Sequence, residues 1–226
     1  CFVKCVVTFP LNNYSLSITN MKDLILASQS PRRQSLLAQL GYQFTTQAAD
    51  IDESVHSNES AKNYVLRLAQ EKAQVIFATL SDQQQAQSVV IGSDTSVVIE
   101  GEILGKPANE AECIATLLRL ENKQHQVLTA IAVITRDQRS QDQRNETLSK
   151  LIVTQVQFKA LTVDEIKRYW NTGEPCDKAG SYAIQGIGGQ FVTTIKGSYS
   201  AVVGLPLYET VQLLAQAGLP SSLSKV

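Results

Sequence analysis

The chain has 226 residues, 43% hydrophobic and 18% charged, with 20 Lys and Arg against 21 Asp and Glu and a formal net charge of −1. A chain of this length and composition builds its own core without disulfide or metal staples, and it is excluded from the disordered class. The near-neutral charge gives no global attraction to nucleic acid or anionic membrane, and no apolar run reaches the roughly 18 residues of a membrane span.

Residues 1–20 follow neither the charged–apolar–small order of a signal peptide nor an amphipathic helical pattern, and the single methionine, Met21, stands just before the periodic pattern begins. The expectation is a non-native or disordered extension over 1–20 and a single domain over 21–226. Residues 23–28 (DLILAS) predict a buried strand. Ser30 as N-cap, Pro31 at the first helical position and Leu36, Leu37 and Leu40 predict a helix that ends at Gly41. A second strand is expected over 42–47, then an acidic loop with Asp50, Asp52 and Glu53.

A helix is predicted over 60–80, with Tyr64, Val65, Leu68, Ala69, Ile76 and Phe77 on its apolar side, and a polar loop over 81–87. Apolar runs at 88–91 and 96–99 flank G-S-D-T, which places 92–95 at a strand end or kink. A turn into 103–107 leads to a helix over 108–120. Strands follow at 126–135 and 151–158, joined by an exposed Gln/Arg-rich connection over 136–147. Thr162 caps a helix through Trp170, with Asp164 and Glu165 in its first turn. Residues 172–189 carry five glycines and one proline, and a strand at 191–195, an apolar run at 201–203 and a helix over 207–217 follow. The pattern is α/β, a mixed sheet with flanking helices.

Cys1, Cys5, Cys113 and Cys176 form neither a disulfide framework nor a zinc spacing, and Cys113 reads as a buried free thiol, as suits a reducing cytoplasm. Arg32 and Arg33 occupy a helical first turn, where the dipole disfavours cations; a bound anion at the free N–H groups explains them better. Asp94 lies at the end of an apparently central strand, suited to act as a general base or a metal ligand, or simply to cap a turn. Glu71 and Lys72 read from the helical pattern as a solvated polar face, while Lys106 follows a glycine in a loop. The segment 177–189 has glycines for close backbone approach, with Lys178 as a cation and Gln185 as a two-way amide. No dinucleotide fingerprint, P-loop, nucleophile elbow or paired-histidine motif is present in the sequence.

L-A-S-Q-S-P-R-R (26–33), D-I-D-E (50–53), L-A-Q-E-K-A (68–73), G-S-D-T (92–95), G-K-P (105–107), D-K-A-G-S-Y-A-I-Q-G (177–186) and G-S-Y-S-A-V-V-G-L-P (197–206) together resemble the Maf family of nucleoside triphosphate pyrophosphatases. Each piece is weak; seven in order over 23–217 are not. The resemblance implies a mixed twisted sheet with two lobes around a nucleotide cleft, like that of inosine triphosphatases. It also implies hydrolysis of a nucleoside triphosphate to the monophosphate and pyrophosphate, with Mg²⁺ or Mn²⁺ as cofactor, a homodimer and a cytoplasmic location.

Under that resemblance the catalytic set is Asp94, Glu53 and Lys72, with Asp94 and Glu53 as metal ligands. The substrate-binding set is Ser28, Arg32, Arg33, Thr95, Lys106, Asp177, Lys178 and Gln185. Arg32, Arg33, Lys72, Lys106 and Lys178 would face the roughly four negative charges of a triphosphate. Arg32, Thr95 and Gln185 resemble the dTTP/UTP branch, whereas the m⁷GTP branch carries Trp, Gln and Glu there. An amide both donates and accepts, as the O4/N3 edge of uracil or thymine requires. Two other readings stay open at this point: a regulatory protein of cell division or septum formation, and a pyrophosphatase of methylated purine triphosphates.

Overall fold

The computed structural model describes residues 22–136 and 144–223. The expected extension over 1–20 lies outside these residues, as does 137–143 of the expected connection. Among the described residues, seven strands make one mixed sheet: β1 (Asp23–Leu26), β2 (Thr45–Thr46), β3 (Ser88–Ile99), β4 (Glu102–Leu104), β5 (Gln124–Arg136), β6 (Asn145–Phe158) and β7 (Val192–Lys196). The order is β2-β1-β3-β5-β6-β7, with β4 also paired to β3. The β1 strand runs parallel to β2 and β3; the remaining pairs are antiparallel.

The helices are α1 (Pro31–Gln39), α2 (Ala61–Thr79), α3 (Asp82–Gln87), α4 (Glu110–Leu120), α5 (Val163–Trp170), α6 (Tyr199–Val203) and α7 (Leu207–Gln216). Alternation along β3 organises them. Val90 and Val98 pack on one face with Val65, Ala69, Ala73, Ile76 and Phe77 of α2. The opposite face carries two cores. Val89 and Ile91 pack with Leu36 and Leu37 of α1 and Leu213 and Leu214 of α7. Val97 and Ile99 pack with Leu117 and Leu120 of α4 and Ile166 and Tyr169 of α5. These cores part at Ser93 and Thr95, so the polar residues that interrupt β3 stand where two lobes separate. The expected two-lobed α/β class is the one observed.

Three expectations are corrected. Residues 92–95 are neither an end nor a kink: β3 is continuous, because β5 pairs with it from Val89 to Val98 whatever the side chains carry. Residues 81–87 are not a loop. Ser81 accepts from the Gln84 N–H while the Gln84 side chain accepts from the Ser81 N–H, a reciprocal cap that holds the short helix α3. The strand expected over 42–47 shrinks to Thr45–Thr46, while Tyr42 and Phe44 pack against the first of the two cores instead.

Candidate active site

The parallel ladder of β1 covers Ser88–Ile91 of β3, and the antiparallel ladder of β4 covers Val97–Ile99. Between them the stretch 92–96 is paired on the β5 side alone among the strands, and a cleft of about 760 Å³ opens along that bare edge. Open α/β sheets place ligands at such gaps, where neighbouring connections diverge. Asp94 therefore belongs to the rigid middle of a strand rather than to a mobile turn.

Packing brings Lys72 to it. A Cβ on Gly92 would lie 2.3 Å from the Ala69 carbonyl oxygen and 2.8 Å from the Ala73 nitrogen, so only glycine lets α2 lie this close to β3. Lys72, one turn along, reaches Asp94 Oδ1 at 2.8 Å and Glu53 Oε1 at 2.6 Å. This corrects the solvated reading of Lys72, which is buried at 8% exposure. The residue falls in the stripe Leu68, Ala69, Lys72, Ala73, Ile76, on the side of α2 that faces the sheet. Glu71, by contrast, is half-buried and paired with Arg67.

The Glu53 side chain is half exposed. Burial pushes its pKa up, but the Lys72 hydrogen bond and the charges of Lys72, Lys106 and Arg33 outweigh burial and hold it below the usual carboxylate value. Its loop is clamped to α2, since Tyr64 Oη donates to the Glu53 carbonyl at 2.8 Å and Arg67 Nη2 to the Ser54 carbonyl at 2.9 Å. Asp52 caps Ser54 of its own loop, and neither Asp50 nor Asp52 lines the cleft.

At the start of α1, Ser30 holds the N-cap position without a side-chain cap; Ser28 Oγ accepts the Ser30 N–H at 3.2 Å instead. Arg33 is built into the wall: Nε donates to the Gly204 carbonyl at 3.0 Å, Nη1 to Ser28 Oγ at 3.3 Å and Nη2 to Thr95 Oγ1 at 3.5 Å. Burial draws the Arg33 pKa below its ordinary value, opposed chiefly by Asp94, and a guanidinium remains cationic throughout. Thr95 Oγ1 also lies 3.1 Å from Thr129 Oγ1, whose own proton goes to the Ala201 carbonyl at 2.7 Å. Thr95 projects from the face of β3 opposite Asp94 and supports Arg33.

The far wall comes from Lys106, Asp177, Lys178 and Gln185, tied together where the Gly180 N–H donates to the Gly105 carbonyl at 3.0 Å. Lys178 pairs with its neighbour Asp177, which lowers the pKa of that carboxyl. Tyr182 forms part of the floor, its Oη 2.9 Å from His125 Nε2. Burial lowers the His125 pKa to about 4, so it is neutral at pH 7.

All eleven residues singled out from the sequence line this one cleft, with five cationic side chains against three carboxylates. Sequence reasoning missed the supports: Tyr64, Arg67, Thr129, His125 and Ser93, whose Oγ donates to the Gly204 carbonyl at 3.0 Å. Tyr64 reads as one more apolar-stripe residue, and the others become partners only through the tertiary fold. For a metal, Asp94 Oδ1 and Glu53 Oε1 are already bonded to Lys72 Nζ, so a divalent ion would take the second oxygens of the two carboxylates, hard donors that suit Mg²⁺ or Mn²⁺. Among the described residues no group of three or more His, Cys, Asp or Glu gathers, so ligand oxygens would complete the shell.

Comparison with known proteins gives three kinds of likeness. The family model described as Maf-like protein matches residues 23–217. A dTTP/UTP pyrophosphatase of Colwellia psychrerythraea is 58% identical over 95% of this chain and 98% of its own length. Those of Pseudoalteromonas atlantica and Vibrio vulnificus are 53% and 52% identical, over 87% and 86% of this chain and 97% and 98% of their own. Among solved structures, the Ham1 protein of Staphylococcus aureus aligns with a TM-score of 0.36 and 13% identity, over 60% of this chain and 72% of that one, too slight a likeness to bear on the site.

Proposed function

The chain belongs to the Maf family, and from that membership and its cationic cleft we infer that it is a nucleoside triphosphate pyrophosphatase that hydrolyses dTTP and UTP to the monophosphate and pyrophosphate. The observation that carries the reading is the Lys72–Asp94 pair at the bare edge of β3, with four further cationic side chains lining the same cleft.

The residues divide the work as follows. Arg33, fixed by three hydrogen bonds, and the first-turn N–H groups of α1 grip phosphate oxygens, with Arg32, Lys106 and Lys178 completing the charge. Asp94 takes the proton of the water that attacks the α-phosphorus. Lys72 holds Asp94 through Oδ1, and an ionised carboxylate has acceptor capacity left for that water. General-base action of this kind is worth about 10²–10⁴ in rate, and positioning and charge stabilisation supply the remainder. Asp94 and Glu53 would hold a Mg²⁺ or Mn²⁺ ion, which when bound neutralises phosphate charge. Gln185 at the rim reads the O4/N3 edge of the base, with Arg32 and Thr95 as the other members of the selectivity set.

Residues 21–226 act as one catalytic domain in this reading, and the working assembly is a homodimer, which light scattering on purified protein tests. The free thiols Cys113 and Cys176 suit a reducing cytoplasm, and no helix among the described residues is long and apolar enough to cross a membrane. Pyrophosphate release from a panel of nucleotides tests the activity. Turnover of dTTP and UTP is expected; binding without turnover would favour a regulatory protein.

A further inference from the structure

Outside the cleft the least explained polar cluster lies behind the loop that carries Gln185. The Gly186 N–H donates to the Ala183 carbonyl at 3.2 Å, so Gln185 stands at the tip of a turn. The turn is held from behind on both flanks. The Ala183 N–H donates to Tyr169 Oη at 3.2 Å, while the Ile187 and Gly188 N–H groups donate to Glu174 Oε2 and Oε1 at 2.8 and 2.9 Å. Tyr169 Oη spends its one proton on Glu174 Oε1 at 2.7 Å, which joins the two holds into one.

Sterics enforce the same arrangement. A Cβ on Gly186 would sit 2.1 Å from Glu174 Oε2, and one on Gly188 would sit 2.6 Å from Tyr169 Oη. The loop backbone thus lies directly on the carboxylate and the phenol with no side chain between. Tyr169 is anchored in turn, 3% exposed in the second core and edge-on to Phe191 at 5.0 Å between ring centroids. Neither Glu174 nor Tyr169 lines the cleft.

We propose that Glu174, with Tyr169, is a positioning pair for base recognition: it fixes the Gln185 turn from behind and thereby sets the discrimination between pyrimidine and purine triphosphates. This rests on the reading of Gln185 as the group that contacts the base. An amide that must donate and accept on one base edge discriminates only when its backbone is held still, and a carboxylate accepting two adjacent N–H groups is a strong anchor for such a turn.

The test is steady-state kinetics with UTP and GTP for wild type, Glu174→Gln, Tyr169→Phe, Gln185→Ala and the double variant Glu174→Gln/Gln185→Ala. Glu174→Gln keeps the side-chain size but replaces one acceptor by an NH₂. It is expected to lower the UTP-to-GTP ratio of kcat/KM about tenfold, chiefly through KM, with kcat for UTP within about twofold. Tyr169→Phe should move the ratio in the same direction and carries the test if Glu174→Gln does not fold. On the Gln185→Ala background, Glu174→Gln should add less than about twofold.

Equal loss of kcat on both nucleotides, or a full effect retained without Gln185, would overturn the proposal as a merely structural contribution. A ratio moved by Gln185→Ala but by neither Glu174→Gln nor Tyr169→Phe would overturn the positioning role alone. A ratio unmoved by Gln185→Ala would remove the reading of Gln185, and the proposal with it.

Discussion

Lys72 Nζ stands between two carboxylates, 2.8 Å from Asp94 Oδ1 and 2.6 Å from Glu53 Oε1, with the Lys72 and Asp94 side chains each only 10% exposed. The pair joins the rigid middle of β3 to the buried face of α2. Removal of one partner leaves the other charged and desolvated, which costs more than the pair contributes net. Lys72→Met is therefore expected to lower stability by about 3 kcal/mol, and Lys72→Met/Asp94→Asn by clearly less. Urea denaturation of the two variants and wild type measures the difference. Equal losses in both would mean that the ammonium contributes packing rather than charge compensation.

Arg33 and Arg32 are neighbours with different duties. Arg33 donates to Gly204, Ser28 and Thr95, whereas Arg32 lines the cleft and makes none of these scaffold bonds among the described residues. Arg33→Lys loses the planar fork and is expected to raise KM for UTP about 10–100-fold and to lower the melting temperature. Arg32→Lys should change KM less and leave melting unchanged. Matched kinetics and thermal melts separate the two, and identical behaviour would contradict the built-in position of Arg33.

Much of this was legible in the sequence for physical reasons. Ser30, Pro31 and the leucines of α1 are local signals, and the free N–H groups of their first turn follow from backbone geometry alone. The charge of Lys72 points to solvent, whereas its spacing from Leu68 and Ile76 places it on the buried stripe. The middle of β3 looked like a break because polar residues interrupt its apolar runs. Those residues are polar because the neighbouring strands stop there and a cleft begins. Glu174 and His125 could not be found this way: their partners, Gly188 and Tyr182, lie 14 and 57 residues away.

His125 makes stability depend on pH. Burial lowers its pKa from 6.5 to about 4, so between those values the unfolded chain binds a proton that the folded chain refuses. Its contribution is complete above pH 6.5 and drains away as the pH falls towards 4, with about 2 kcal/mol gone by pH 5. Urea denaturation at pH 7.5 and pH 5 should show a larger drop for wild type than for His125→Gln. Equal drops would mean that other groups carry the acid sensitivity.

The selectivity set is tested by exchange. Arg32→Trp/Thr95→Gln/Gln185→Glu is expected to move kcat/KM away from UTP and dTTP and towards m⁷GTP. Thr95 touches Arg33, so Thr95→Gln alone should raise KM for every nucleotide rather than change the preference. An unchanged UTP-to-m⁷GTP ratio in the triple variant would place the base contacts elsewhere.

Under the proposed function Asp94 and Glu53 hold a divalent ion with the oxygens that Lys72 leaves free. Chelation with EDTA should abolish turnover, with recovery on addition of Mg²⁺ or Mn²⁺. Glu53→Gln should raise the Mg²⁺ concentration for half-maximal rate by about tenfold, the loss of one charge-assisted ligand. A Mg²⁺ dependence unaffected by Glu53→Gln would remove Glu53 from the ligand set.

The most direct measurement is pyrophosphate release with Mg²⁺ from dTTP, UTP, CTP, GTP and m⁷GTP, wild type beside Asp94→Asn, with nucleotide binding followed by calorimetry. Wild type should turn over dTTP and UTP fastest, and Asp94→Asn should bind UTP while losing at least about 10² in kcat. Turnover undiminished in Asp94→Asn would contradict the central role given to that carboxylate.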